Sequence, residues 1–163
     1  MSTAVASKIR QQEKWASLLY HAQQEGDKAA RAAVPTPMVV YSPKVPFFDE
    51  SPDPSQPVYH VPDGPCGFAW VNLKAVKGPD GKEARQFLNW LLGRTAPAGR
   101  GCGPVSLGNY RFPEKKSYYG GYDIWVSGFD QSVQRKSSAA RAVAKVLQSE
   151  IPGLVCWEMD RMD

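Results

Sequence analysis

Gly67-Phe68-Ala69-Trp70-Val71-Asn72-Leu73-Lys74 alternates small or aliphatic residues with aromatic or polar ones. A period of two marks a strand with two unlike faces. Ala69, Val71 and Leu73 form one set, and Phe68, Trp70 and Asn72 form the other. Downstream, Pro79-Asp80-Gly81 predicts a turn, and Asp80 with Glu83 predicts a capping box opening a helix. Ala84, Phe87, Leu88, Leu91 and Leu92 are that helix's apolar stripe, and Gly93 is its stop. Residues 94–109 read as a Gly-rich loop. Lys116–Tyr119 and Tyr122–Val126 predict two strands around Gly120-Gly121, a tight-hairpin signal. Asp130 is expected to cap a long helix bearing Val133, Ala140, Val143, Leu147 and Ile151. Pro152-Gly153 ends it, and Leu154–Glu158 predicts a last strand.

The resulting order, β-α-β-β-α-β with right-handed crossovers, predicts an α+β, ferredoxin-like sandwich over residues 66–163. Two helices cover one face of such a sheet and leave the other open. Ile124 and Val126 match Ala69, Val71 and Leu73 on the helix side. Phe68, Trp70 and Trp125 then gather on the open face beside Asn72, while the direction of Trp157 stays undecided.

The 65 residues before this domain divide in two. Residues 1–34 hold no Pro and read as helix, with Val5, Ile9, Ala16 and Leu19 at helical steps and Trp15 and Leu18 beside them. Gly26-Asp27 is a possible break, with Asp27 as a new cap. Residues 35–65 hold nine of the 14 Pro, so they read as an extended arm. Met38, Val39, Val40, Tyr41, Phe47 and Phe48 make it an arm that packs on something, not a plain linker. The net charge of +4 splits into +2 for residues 1–34, −3 for the arm and +5 for the domain.

No run approaches about 20 apolar residues, so no membrane span or membrane partner is expected. The first eight residues lack the apolar core of a secretory signal. Cys66, Cys102 and Cys156 are odd in number and widely spaced, which suits a reducing compartment better than a disulfide framework. Neither a Cys-x-x-Cys pair nor a nucleotide or hydrolase fingerprint is present, and no cofactor or metal is expected.

The candidate sites follow from this layout. Exposed aromatics on an open sheet of this type stack single-stranded bases. Phe68, Trp70, Asn72 and Trp125 would form that surface, with Tyr118 and Tyr119 at the hairpin and phosphate contacts from Lys74, Lys77, Arg111, Lys115 and Lys116. Monomers rarely leave large apolar patches open, however. Residues 1–50 are therefore expected to cover the face through Trp15, Leu18, Leu19, Phe47 and Phe48. Arg135 and Lys136, beside Gln131 and Gln134, offer a second anion contact at a helix start, against the plainer reading of a solvated face. Gly99–Gly103 is a weak anion-nest pattern. Glu158, Asp160 and Asp163 are a carboxylate cluster, more simply a charged tail beside Arg161. His60 and Cys66 are the one thiol–imidazole pairing worth weighing for catalysis.

Several short motifs resemble a group of small proteins from tailed bacteriophages and prophages. They are Pro35-Thr36-Pro37-Met38, Tyr59-His60-Val61-Pro62-Asp63-Gly64, Cys66-Gly67-Phe68-Ala69-Trp70-Val71, Tyr118-Tyr119-Gly120-Gly121 and Ile124-Trp125-Val126. Phe129 with Gln131-Ser132, Arg135-Lys136 and the final Arg161-Met162-Asp163 extend the pattern over most of residues 28–163. Residues 95–114 look like an extra insertion against it. The resemblance implies a phage origin, and the cytoplasm of an infected bacterium or the virion as the setting. It brings no assigned activity and so implies no catalytic residue. The expected function is a non-enzymatic accessory protein that binds single-stranded nucleic acid or a host protein. The alternatives are a virion or assembly protein contacting a neighbouring subunit or its own copies through residues 1–65, and a small enzyme of unknown reaction.

Overall fold

A computed structural model describes residues 3–93, 106–113 and 115–163. The chain begins with one long helix, α1 (Thr3–Ala32), that runs through Gly26-Asp27 without a break. Four short strands follow: β1 (Met38–Val40), β2 (Pro43–Val45), β3 (Asp49–Pro52) and β4 (Tyr59–Val61). β5 (Gly67–Ala75) then leads through a 3-10 turn at Pro79–Gly81 into α2 (Lys82–Leu91). The rest comprises β6 (Ser106–Leu107), β7 (Tyr110–Arg111), β8 (Tyr122–Val126), α3 (Val133–Glu150) and β9 (Leu154–Met162).

The main sheet is antiparallel, in the order β6-β7-β8-β5-β9. β5 is central because both of its edges are paired, with Trp70 opposite Trp125 on β8 and Met159 on β9. The core lies on one side of it. Ala69, Val71, Leu73, Ile124 and Val126 meet Ala84, Phe87 and Leu88 of α2 and Ala140, Val143 and Leu147 of α3 there.

The first helix belongs to this same core. Trp15, Leu18, Leu19, Ala22, Gly26 and Ala30 are buried at steps of three and four, while Val5 and Ile9 of the expected stripe are exposed. Trp15 packs on Phe87 and Trp90 of α2, and α1 runs along α3. Gly26 is a packing residue, not a helix breaker. A Cβ there would run into the Tyr110 hydroxyl and the Val143 side chain.

Four local expectations are corrected. Asp80 does not cap α2; Gly81 holds the cap position with no side-chain bond, because the chain enters through the 3-10 turn. Ser132, not Asp130, caps α3, its Oγ accepting from the Arg135 N–H at 3.5 Å. Residues 116–119 are not a strand. β8 pairs instead with β7, and Ser117–Gly121 closes a turn by the Gly121 carbonyl accepting from Ser117 N–H. The last strand runs on to Met162, because β5 offers partners as far as Gly67.

The arm is a protruding antiparallel ribbon. β1 pairs with β4 and β2 with β3, and Asp53 N–H donates to Ser42 O between the two pairs. Its root is pinned to α3 by the Arg135–Asp63 ion pair and by Gln134, which accepts from Thr36 N–H. At its tip Phe47 and Phe48 are fully exposed. Neither the arm's aromatics nor α1 covers the second face of the sheet. The expected cover fails because α1 found a better partner in the helix layer.

Candidate functional site

The uncovered face is built by strand alternation. From β5 it takes Phe68, Trp70, Asn72 and Lys74. Opposite them on β8 are Trp125 and Asp123, and on β9 Arg161, Met159, Trp157 and Val155. Arg111 of β7 stands opposite Trp125. Phe68, Trp125 and Trp157 keep 38%, 41% and 45% of their surface in solvent, whereas Trp70 keeps 6%.

Trp70 and Trp125 are stacked, with centroids 4.8 Å apart and planes inclined by 26°, and Phe68 meets Trp125 edge-on at 6.3 Å. Three cations lie over rings, one of them Lys136, whose Nζ is 5.8 Å from the Phe68 centroid. Lys74 Nζ is 4.9 Å from the Trp157 centroid, and the Arg161 guanidinium is 5.5 Å from that of Phe68. Such pairs put positive charge beside π-faces, the combination that suits a stacked base and its phosphate. The indole N–H of Trp70 is buried without a hydrogen-bond partner among the described residues.

Asn72 is fully buried in the middle of this face and acts as a brace. Its Nδ2 donates to Asp123 Oδ1 at 2.7 Å and to Gly120 O at 2.9 Å. That second bond ties down the Ser117–Gly121 turn. Gly121, at φ 73°, needs glycine both for its backbone and because a Cβ would strike Leu73 O. Tyr118 and Tyr119 therefore stand exposed on a fixed turn, edge-to-face at 5.4 Å, instead of lying on a sheet strand.

Of the expected binding residues, the structure brings Phe68, Trp70, Asn72, Lys74 and Trp125 together. Lys116 is exposed near the turn. Arg135 and Lys136 are not free anion contacts. Arg135 is held by Asp63 at 3.4 Å and Asp130 at 3.8 Å, and Lys136 is buried with Nζ donating to Gly67 O at 2.9 Å. Trp157, Met159 and Arg161 were not assigned to this face from sequence. The signal was present in the alternation, but Glu158 and Asp160 then had to point toward the helices. They do so because Arg141 forks onto Glu158 at 3.0 and 3.3 Å, and Ser137 donates to Asp160 at 2.6 Å. Glu158 holds the Arg141 guanidinium above its ordinary pKa by hydrogen bonding and charge.

The remaining candidates do not form sites. Glu158 and Asp160 are used up by α3, and no group of His, Cys, Asp and Glu among the described residues is arranged to hold a metal. No hydrogen bond joins His60 to Cys66 among the described residues. Cys66 and Cys156 are free thiols, and burial pushes that of Cys156 up to about 12. The Gly99–Gly103 pattern lies outside the described residues. Among those described, no helix is long and apolar enough to cross a membrane. No protein-family model matches the chain, nor does any curated protein or solved structure.

Proposed function

We propose that this protein is a binding module whose aromatic sheet face takes up single-stranded nucleic acid. The observation that carries the reading is the row of half-exposed rings, Phe68, Trp125 and Trp157, with Lys74 and Arg161 set over two of the faces. Bases stack on such rings whatever their sequence, and each contributes roughly 1–3 kcal/mol. The domain's +5 charge adds a salt-dependent attraction for phosphates. The Asn72 amide spends its donors on Asp123 and Gly120 O, so the face offers stacking more than base-edge recognition, and weak sequence preference is expected.

The strand order supports a ferredoxin-like reading of the domain. β7-β8-β5-β9, with α2 between β5 and β7 and α3 between β8 and β9, is the arrangement a β-α-β-β-α-β chain makes with antiparallel neighbours. The motifs that resemble those of small phage proteins point to an accessory role in an infected bacterium, in its cytoplasm or in the virion.

Tryptophan fluorescence tests the proposal, because Trp70, Trp125 and Trp157 all lie on the face. Single-stranded oligonucleotides should quench it at low salt, where phosphate attraction is strongest, and duplex of the same sequence should quench it less. No quenching by single strands at low salt removes the reading.

A further inference from the structure

We propose that the tip of the β1–β4 ribbon docks on the aromatic sheet face of a second copy of this chain. Phe47 and Phe48 are fully exposed, and Phe47 sits at φ 67°, a conformation bulky residues rarely adopt. Strain of that kind is kept where the surroundings use it. Among the described residues none covers the two rings, and the root of the ribbon is fixed to α3. Two-stranded ribbons are marginal alone in water, and this one also exposes Val39, Val40, Tyr41 and Val45. Its exposed apolar side chains would be buried by a partner from outside.

Charge selects the partner. Around the two Phe the ribbon carries Lys44 against Asp49, Glu50 and Asp53, so it is acidic and repels nucleic acid. The sheet face has the opposite character, with half-exposed aromatic rings bordered by Lys74 and Arg161. Tip and face are different surfaces, so the contact either closes as a two-fold dimer by reciprocal exchange or runs on head to tail. The inference shares its face with the nucleic-acid reading but does not rest on it. If both hold, ribbon and oligonucleotide exclude each other.

Sedimentation of the full chain, without nucleic acid, tests this. At about 100 μM, enough to populate a weak contact, wild type should sediment as a dimer or larger. The tip variant Phe47→Ser/Phe48→Ser and the face variant Trp157→Ser/Arg161→Glu alter exposed side chains, and each should be monomeric with unchanged circular dichroism. Mixed in equal amounts they should reassociate, one bringing an intact face and the other an intact tip. A monomeric wild type, a tip variant that associates like wild type, or a mixture that stays monomeric overturns the proposal. A partner other than a second copy predicts the first of these results. Failure of the nucleic-acid reading is seen separately, as absent quenching in the fluorescence experiment.

Discussion

Trp70 and Trp125 lie directly opposite each other on β5 and β8 and stack at 4.8 Å, yet one is buried and the other is 41% exposed. Trp70 is thus the floor on which Trp125 rests, and Trp125 is the ring left facing solvent.

Trp125→Ala should weaken oligonucleotide binding by about 1–3 kcal/mol, the value of one stacked base. The fold should lose little more than the ~0.5–1.5 kcal/mol of an aromatic pair. Titration and thermal unfolding of the same variant check the split. Unchanged affinity would show that Trp125 is not a stacking platform.

Arg161 pairs with the Phe68 ring and lies on the same face. If it contacts a phosphate, Arg161→Ala should lower the slope of log affinity against log salt by about 1. Binding isotherms at several salt concentrations give that slope.

The first helix is structural. Trp15→Ala should cost about 3–5 kcal/mol, as large core truncations do. Gly26→Ala should cost about 1–3 kcal/mol by overpacking against Tyr110 and Val143. Urea unfolding measures both. Small effects would mean that α1 is an appendage after all.

Asn72→Ala removes two hydrogen bonds, each with a net value of about 0.5–1.5 kcal/mol, and frees the turn bearing Tyr118 and Tyr119. Faster amide exchange confined to residues 117–121 is the expected signature.

Cys156 should resist alkylation at neutral pH, because burial pushes its thiol up to about 12. The same shift sets a stability trend. The unfolded thiol ionises near pH 8.5, at about its unperturbed value, while the folded one keeps its proton. Stability from this group is complete below that pH and falls as pH rises toward 12. Burial and the charge of Asp27 push the Tyr110 phenol up as well, reinforcing the loss at the alkaline end. Peptide mapping after alkylation and unfolding curves from pH 7 to 11 check the two statements.

How much was legible varied with the kind of signal. Strand β5 and the aromatic set on its outer face follow from alternation alone, since side chains on a strand must alternate. The order of helices and long strands was readable from apolar spacing and stops. The second strand was not: β7 is two residues long, too short to show a period. Gly120-Gly121 suggested a hairpin, but the hydrogen bond from Asn72 makes it a braced turn. Trp157 was ambiguous because the acidic residues beside it had to face inward, and Arg141 and Ser137 on the preceding helix make that tolerable.

By itself, then, the sequence determined which residues alternate, where helices stop, that Pro-rich residues 35–65 are extended, and that charge is split between arm and domain. Those properties are local, or simple sums. Tertiary structure decided which surfaces cover which. The buried stripe of α1, small at Ala22, Gly26 and Ala30, fits the helix layer beside α3 and Tyr110, and that fit left the aromatic face and the two Phe of the ribbon in solvent. The choice depends on shape complementarity between segments far apart in the chain, which no local pattern encodes.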